Sequence, residues 1–186
     1  MNVSEIKIGG FGGQGVILTG LIIGKAAAIF DDKYSTMTQA FGPEARGSSC
    51  SSQVIISDEK ILYPYVSRPD VLVVMSQDAA ARFSTELKDD PRALLLYESE
   101  LVNLEGIGTK ATRYGIPATR LAEELGRTMV LNIVMVGFFT AMAKLISADA
   151  VRSAVKDSVP RGTEALNLSA FDKGFEHGMS LLNAKS

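Results

Sequence analysis

A single cysteine, Cys50, leaves this chain no internal disulfide to form. It also excludes an iron–sulfur cluster or a structural zinc held by this chain alone. One histidine, His177, excludes a histidine-rich metal centre, so no metal site is expected here. Basic clusters are missing too. The net charge is −2 and no run of Lys and Arg stands out, a poor electrostatic match for nucleic acid. No apolar run is long enough for a membrane span, which needs roughly 20 such residues. The longest, "MVLNIVMVGFFTAMAKLI" at 129–146, is interrupted by Asn132, Gly137, Thr140 and Lys144 and reads as a buried helix. The opening residues "MNVSEIKIGG" lead straight into a strand with no signal-peptide pattern, so a cytoplasmic location is expected.

What is present is a sizeable apolar fraction, 46% against 22% charged residues, which is a globular composition. The 186 residues suit one domain, 1–186. Residues 5–9 read as a strand, and 14–30 as a helix apolar on nearly all sides. "KYSTMTQ" reads as a second strand, and 40–49 as a loop from its Gly-Pro and Arg-Gly-Ser-Ser punctuation. "CSSQVIISDEKIL" reads as a hairpin turning at Ser57-Asp58. "PDVLVVMS" and "ALLLYES" are continuous apolar runs, the pattern of parallel strands buried on both faces. Between them lies a helical stretch with Ser76 as its N-cap. A weaker strand follows in "TKATRYGIP", then a short helix closed by Gly126. Ser147 caps the next helix, and Leu168, Phe171, Phe175, Met179 and Leu182 recur at helical spacing after Pro160. The expected fold is one three-layer α/β domain. It has a mainly parallel sheet with helices on both faces, a Rossmann-like opening βαβ unit and a helical C-terminal third.

The most concentrated signal is Gly9-Gly10-Phe11-Gly12-Gly13-Gln14-Gly15, five glycines in seven residues. Gly10 to Gly15 fit G-x-G-x-x-G after a strand and before a helix. Glycine lets the backbone turn sharply and approach a ligand closely, and the free N–H groups of a helix start attract anionic oxygens. Gly10, Gly12, Gly13, Gln14 and Gly15 are therefore the candidate ligand-binding residues. A dinucleotide site also expects an acid about 20 residues on, at the end of the second strand. Here Thr38 and Gln39 stand there, while Asp31 and Asp32 precede the strand. No Gly-Lys-Ser/Thr follows, so the loop is not a P-loop either. Three readings stay open: NAD or FAD, a phosphate of another ligand, or a tight turn with no ligand.

Other candidates have blander readings beside them. Glu44 and Arg46 form either an exposed charge pair, worth at most about 1 kcal/mol, or an arginine aimed at phosphate. Cys50 at a strand start reads as a small buried hydrophobe rather than a nucleophile. His177 reads as a packing or surface residue. Asn132 is an N-cap, a satisfied core amide or an interface residue. Gly174 and Gly178 permit close approach of another helix. No catalytic residue is assigned.

Taken together, "IKIGGFGGQGVILTGLIIGKAA", "AFGPEARGSSCSSQVIIS", "SRPDVLVVMSQDA" and "GIPATRLAEELG" followed by "LNIVMVGFF" resemble, in order, the gamma subunit of 2-oxoacid:ferredoxin oxidoreductases. The likeness covers roughly residues 5–180. It implies a subunit rather than a complete enzyme. Thiamine-binding alpha and beta subunits and a ferredoxin-like subunit would carry thiamine diphosphate, magnesium and the iron–sulfur clusters. The complex would decarboxylate a 2-oxoacid oxidatively to an acyl-CoA and reduce ferredoxin. The gamma subunit would contact coenzyme A, and Glu44, Arg46 and Gly47 would form a loop facing the active site. This chain lacks the Gly-Asp-Gly…Asn signature for thiamine diphosphate, in keeping with that division. Ser48 stands where many members carry a second glycine. Phe11 between the glycines fits members acting on 2-oxoglutarate or branched 2-oxoacids. The competing reading is a stand-alone oxidoreductase using NAD.

Overall fold

The computed structural model describes residues 3–42 and 49–184. Six strands form one sheet in the order β2-β3-β1-β4-β5-β6. They are β1 (Val3–Phe11), β2 (Tyr34–Phe41), β3 (Ser49–Ser57), β4 (Val71–Val74), β5 (Leu94–Glu98) and β6 (Thr112–Ile116). β1, β4, β5 and β6 are parallel neighbours. β3 runs antiparallel to both β1 and β2. β1 and β2 thus point the same way with the helix α1 (Val16–Lys25) between them in sequence. The opening strand–helix–strand unit is split, because β3 is inserted between its two strands.

That insertion corrects the expected hairpin at 50–62. β3 pairs upstream with β2, from Tyr34↔Ser57 to Phe41↔Cys50, and no strand forms between Ser57 and Val71. The reason lies in the side chains around 58–70. Ser57 Oγ accepts from Glu59 N–H at 3.0 Å, and Gln53 Oε1 accepts from Val66 N–H at 3.3 Å. The N–H groups of Ser67 and Arg68 both donate to Glu5 Oε2, at 3.0 Å each. These backbone groups find side-chain partners, so the segment needs no ladder.

Apolar side chains of the sheet alternate between two cores. Val71 and Val73 of β4 face the larger core, built with α1, α4 (Leu131–Ala143), α5 (Ala148–Ser158) and α6 (Glu164–Asn183). Leu72 and Val74 face a smaller one with α2 (Gln77–Phe83). This two-sided burial explains the unbroken apolar run of β4. The remaining helix, α3 (Ala118–Glu124), packs Ala118 and Ala122 into the larger core.

Caps fall where the sequence places them. Ser76 Oγ accepts from Ala79 N–H and Ser147 Oγ from Ala150 N–H, both at 3.2 Å. Gly126 takes φ +80° just past α3. The long helix read at 14–30 is tighter at its start and looser at its end. It begins at Val16 and widens into a π turn over Ala26–Phe30, closed by Lys33 N–H on the Ala27 carbonyl. The stretch 76–90 keeps only the seven helical residues of α2.

α4 is buried along its whole length except Ala143. It crosses α6 backbone to backbone. A Cβ on Gly137 would run into the Phe171 carbonyl, and one on Gly174 into the Val134 carbonyl. Gly178 faces the Ala141 methyl. Gly174 and Gly178 therefore serve packing within the chain. No helix among the described residues is long and apolar enough to cross a membrane.

Candidate functional site: the glycine loop at the carboxyl edge of the sheet

β1 delivers the glycine loop to the carboxyl ends of the parallel strands. In open α/β sheets this edge is where ligands bind, at points where the strand order changes direction. β1 is such a point, with antiparallel β3 on one side and parallel β4 on the other.

Each glycine answers a separate steric demand. Gly9 lies under α2, where a Cβ would sit 2.6 Å from the Phe83 ring. Gly10 lies under Gln14, whose Oε1 would be 2.7 Å from a Cβ there. Gly13 and Gly15 take φ +99° and +75°, the left-handed region that side chains avoid. Gly12 and Gly13 face outward and are exposed.

Gln14 turns the other way. Its Oε1 accepts from Phe11 N–H at 2.7 Å and its Nε2 donates to the Met75 carbonyl at 2.8 Å. Its own N–H donates to the Phe11 carbonyl at 3.1 Å. The side chain thus braces the loop against the ends of β1 and β4. It shapes the loop from behind, and the backbone of the turn faces outward.

Gly15 is the N-cap of α1, and no side chain caps that helix. The first intrahelical bond runs from Thr19 N–H to the Gly15 carbonyl. The N–H groups of Val16, Ile17 and Leu18 therefore have no acceptor within the helix. Asn132, from the first turn of α4, lies directly over this point. A Cβ on Gly15 would sit 2.5 Å from Asn132 Nδ2.

The residues that flank the second candidate loop lie at this edge. The loop's own residues Glu44, Arg46 and Gly47, with Ser48, lie outside the described residues. Its anchors are well placed, however. Gly42 N–H donates to the Ser49 carbonyl at 2.9 Å, and Ser49 pairs with Phe11 at the start of the glycine loop. Phe11 and Phe41 are exposed around the same corner, as is Met129, three residues before Asn132.

The dinucleotide reading loses its geometry here. The strand that would carry the ribose-binding acid is β2, which lies beyond β3 rather than beside β1. That puts Thr38 and Gln39 about 10 Å from the loop's own strand. Asp31 is engaged elsewhere, accepting from the Ser147 N–H and Oγ at 2.9 and 2.8 Å. Cys50 is buried, and burial pushes its thiol up, away from nucleophilic character. His177 packs edge-on to Phe138 with ring centroids 5.8 Å apart. Both keep the packing roles read from the sequence.

One residue at this edge was not singled out from the sequence. Glu98 ends β5, fully buried, and accepts from the N–H groups of Glu100 at 3.0 Å and Thr119 at 3.3 Å. It pins the start of α3 to the sheet. The available signal was an acid closing an otherwise apolar strand. Burial raises its carboxyl above the ordinary range, against the pull of backbone N–H groups. A raised folded-state value means that its contribution to stability is complete below about pH 4 and is lost as pH rises through the raised value. Glu98→Gln should flatten this part of the stability profile. Denaturation midpoints of the two proteins between pH 4 and 8 check it, and parallel curves would refute it.

Comparison with known proteins fits this picture. Residues 5–177 match the pyruvate ferredoxin/flavodoxin oxidoreductase family, and the chain belongs to that family. A 2-oxoglutarate synthase subunit, KorC, of Methanocaldococcus jannaschii is 45% identical over 92% of this chain and 92% of its own. The keto/oxoacid ferredoxin oxidoreductase gamma subunit of Geobacter sulfurreducens superposes with a TM-score of 0.83. It is 35% identical over 95% of this chain and 99% of its own. A 2-oxoglutarate:ferredoxin oxidoreductase from Magnetococcus marinus shares the fold at a TM-score of 0.85 and 24% identity, over 97% of this chain and 32% of that one. Within the family this chain is of the gamma-subunit type of 2-oxoacid:ferredoxin oxidoreductases.

Proposed function

We propose that the chain is the gamma subunit of a thiamine diphosphate-dependent complex that converts 2-oxoglutarate to its acyl-CoA, and that its glycine loop holds a phosphate of coenzyme A. The observation that carries this is the uncapped start of α1 behind an outward-facing Gly12-Gly13 turn. Unpaired N–H groups and the positive end of the helix dipole suit an oxyanion, and the glycines let it come close. The Magnetococcus enzyme is described with 2-oxoglutarate, coenzyme A and succinyl-CoA bound, which supports the ligand by likeness of fold. The choice of 2-oxoglutarate follows the KorC relative.

Thiamine diphosphate supplies the carbanion chemistry of decarboxylation, and its residues belong to partner chains. Among the described residues no group of three His, Cys, Asp or Glu side chains could hold a metal ion. This chain's part is to position a thiol carrier at the edge of the partners' site. Phe11, Phe41 and Met129, exposed around the loop, suit burial against the thiamine-binding subunits. The chain alone is inactive.

Co-expression with thiamine-binding and ferredoxin-like subunits tests this. The purified chain should show no 2-oxoglutarate oxidation, and the copurified complex should form acyl-CoA with saturable dependence on coenzyme A. Failure of the chain to copurify, or tight calorimetric binding of NAD with none of coenzyme A, would overturn it.

A further inference from the structure

Asn132 is 4% exposed, yet its carboxamide makes no hydrogen bond among the described residues. Neither amide atom is among the buried side-chain atoms left without a partner, so the carboxamide is open to water or to a ligand at this edge. It does not cap its own helix, since Val130 occupies the N-cap of α4 and no side chain bonds there. Apolar neighbours on α4, from Ile133 to Phe139, are buried in the main core. Asn132 alone in that turn presents polar atoms, and it presents them to Gly15. Nδ2 stands 2.5 Å from the place a Gly15 Cβ would take, at the amino end of the ten-residue helix α1.

We propose that the Asn132 carboxamide is a side-chain donor at this helix start, hydrogen-bonding the same phosphate oxygens that face the N–H groups of Val16, Ile17 and Leu18. The inference rests on the loop being a phosphate site. It adds a specific group from a distant segment, 117 residues beyond Gly15, to what is otherwise a backbone cradle. Phosphate suits the arrangement because several donors converge on one small region and one tetrahedral anion can accept from all of them. A neutral donor also has a use here. It satisfies the anion without fixing a cation that would attract free phosphate in the absence of the carrier. Gly15 follows from the same geometry, since any side chain there would displace the amide.

The test uses the assembled complex with Asn132→Leu, Asn132→Ser and Gly13→Asp, and with coenzyme A, 3′-dephospho-coenzyme A and pantetheine as acyl acceptors. Gly13→Asp places a negative charge on the exposed turn and tests the loop as a phosphate site. Asn132→Leu should raise KM for coenzyme A about ten- to hundredfold, the range for one hydrogen bond to a charged group, with kcat within about twofold. Asn132→Ser, which keeps a donor, should recover part of the loss. The penalty should vanish with pantetheine, which has no phosphate. Its persistence with the dephospho compound assigns the diphosphate, and its disappearance there assigns the 3′-phosphate. Either result supports the proposal. An equal penalty with all three acceptors overturns it. If Gly13→Asp raises KM and Asn132→Leu does not, the inference fails while the phosphate site stands. If neither moves KM, both fail. Melting of Asn132→Leu at or above the wild-type temperature separates binding from folding. Should that variant not assemble, the KM of Asn132→Ser decides: an unchanged value overturns the proposal and a raised one supports it.

Discussion

Replacing Gly137 with alanine should lower the melting temperature by roughly 6–12 °C, and Gly174→Ala should do nearly the same. At both positions the obstruction is a main-chain carbonyl of the facing helix, Phe171 for the first and Val134 for the second. A flexible side chain can swing aside, but a carbonyl engaged in its own helix cannot. The helices must separate instead, and the whole α4–α6 contact loosens. Overpacking of this kind costs about 3 kcal/mol at its upper end. For a chain of this length each kcal/mol moves the midpoint by about 2–4 °C. The double variant should cost less than the sum, because one separation relieves both clashes. Calorimetry of the four proteins checks this. A Gly137→Ala midpoint within about 2 °C of wild type would show that the crossing is looser than described.

Gly15→Ala should cripple the complex with coenzyme A while leaving the chain folded. Alanine at φ +75° costs about 1–2 kcal/mol in backbone strain. Its methyl group also meets the Asn132 carboxamide, which has buried neighbours behind it. Gly13→Ala is the internal control for folding, since Gly13 has φ +99° and open space around its missing Cβ. Gly13→Ala should show the strain alone, about 1–2 kcal/mol in urea denaturation. Gly15→Ala should lose about 1 kcal/mol more and raise KM for coenzyme A more than tenfold. Equal denaturation curves for the two variants, with a Gly15→Ala KM within about twofold of wild type, would show that the Gly15–Asn132 contact does not hold the loop.

Much of this architecture is legible in single residues. Val71–Val74 announces a strand buried on both faces, and Ser76, Ser147 and Gly126 mark helix ends by local chemistry. The glycine loop is also plain, since its signal lies within a few consecutive positions. What stayed hidden depends on partners far along the chain. The pairing of β3 with β2 and β1 cannot be read from "CSSQVIIS", because any apolar strand pairs equally well in prospect. "KILY" has strand character, but Glu5, more than 50 positions upstream, claims the neighbouring N–H groups. Gln14 occupies a motif position usually read as facing a ligand. Only the distant Met75 carbonyl shows that it faces inward. Asn132 was visible as a polar intruder in an apolar helix, while its seat over Gly15 is a fact of tertiary structure.

The glycine crossing of α4 and α6 has a bearing on the order in which the molecule is finished. The glycine loop leaves the ribosome well before α6, which lies some 150 residues further along the chain. Asn132 reaches Gly15 only when α4 is seated, and the Gly137–Gly174 contact seats α4 against α6. The loop therefore takes its final form from a helix made well after it, so a nascent chain stalled before residue 164 carries the motif without the finished cradle.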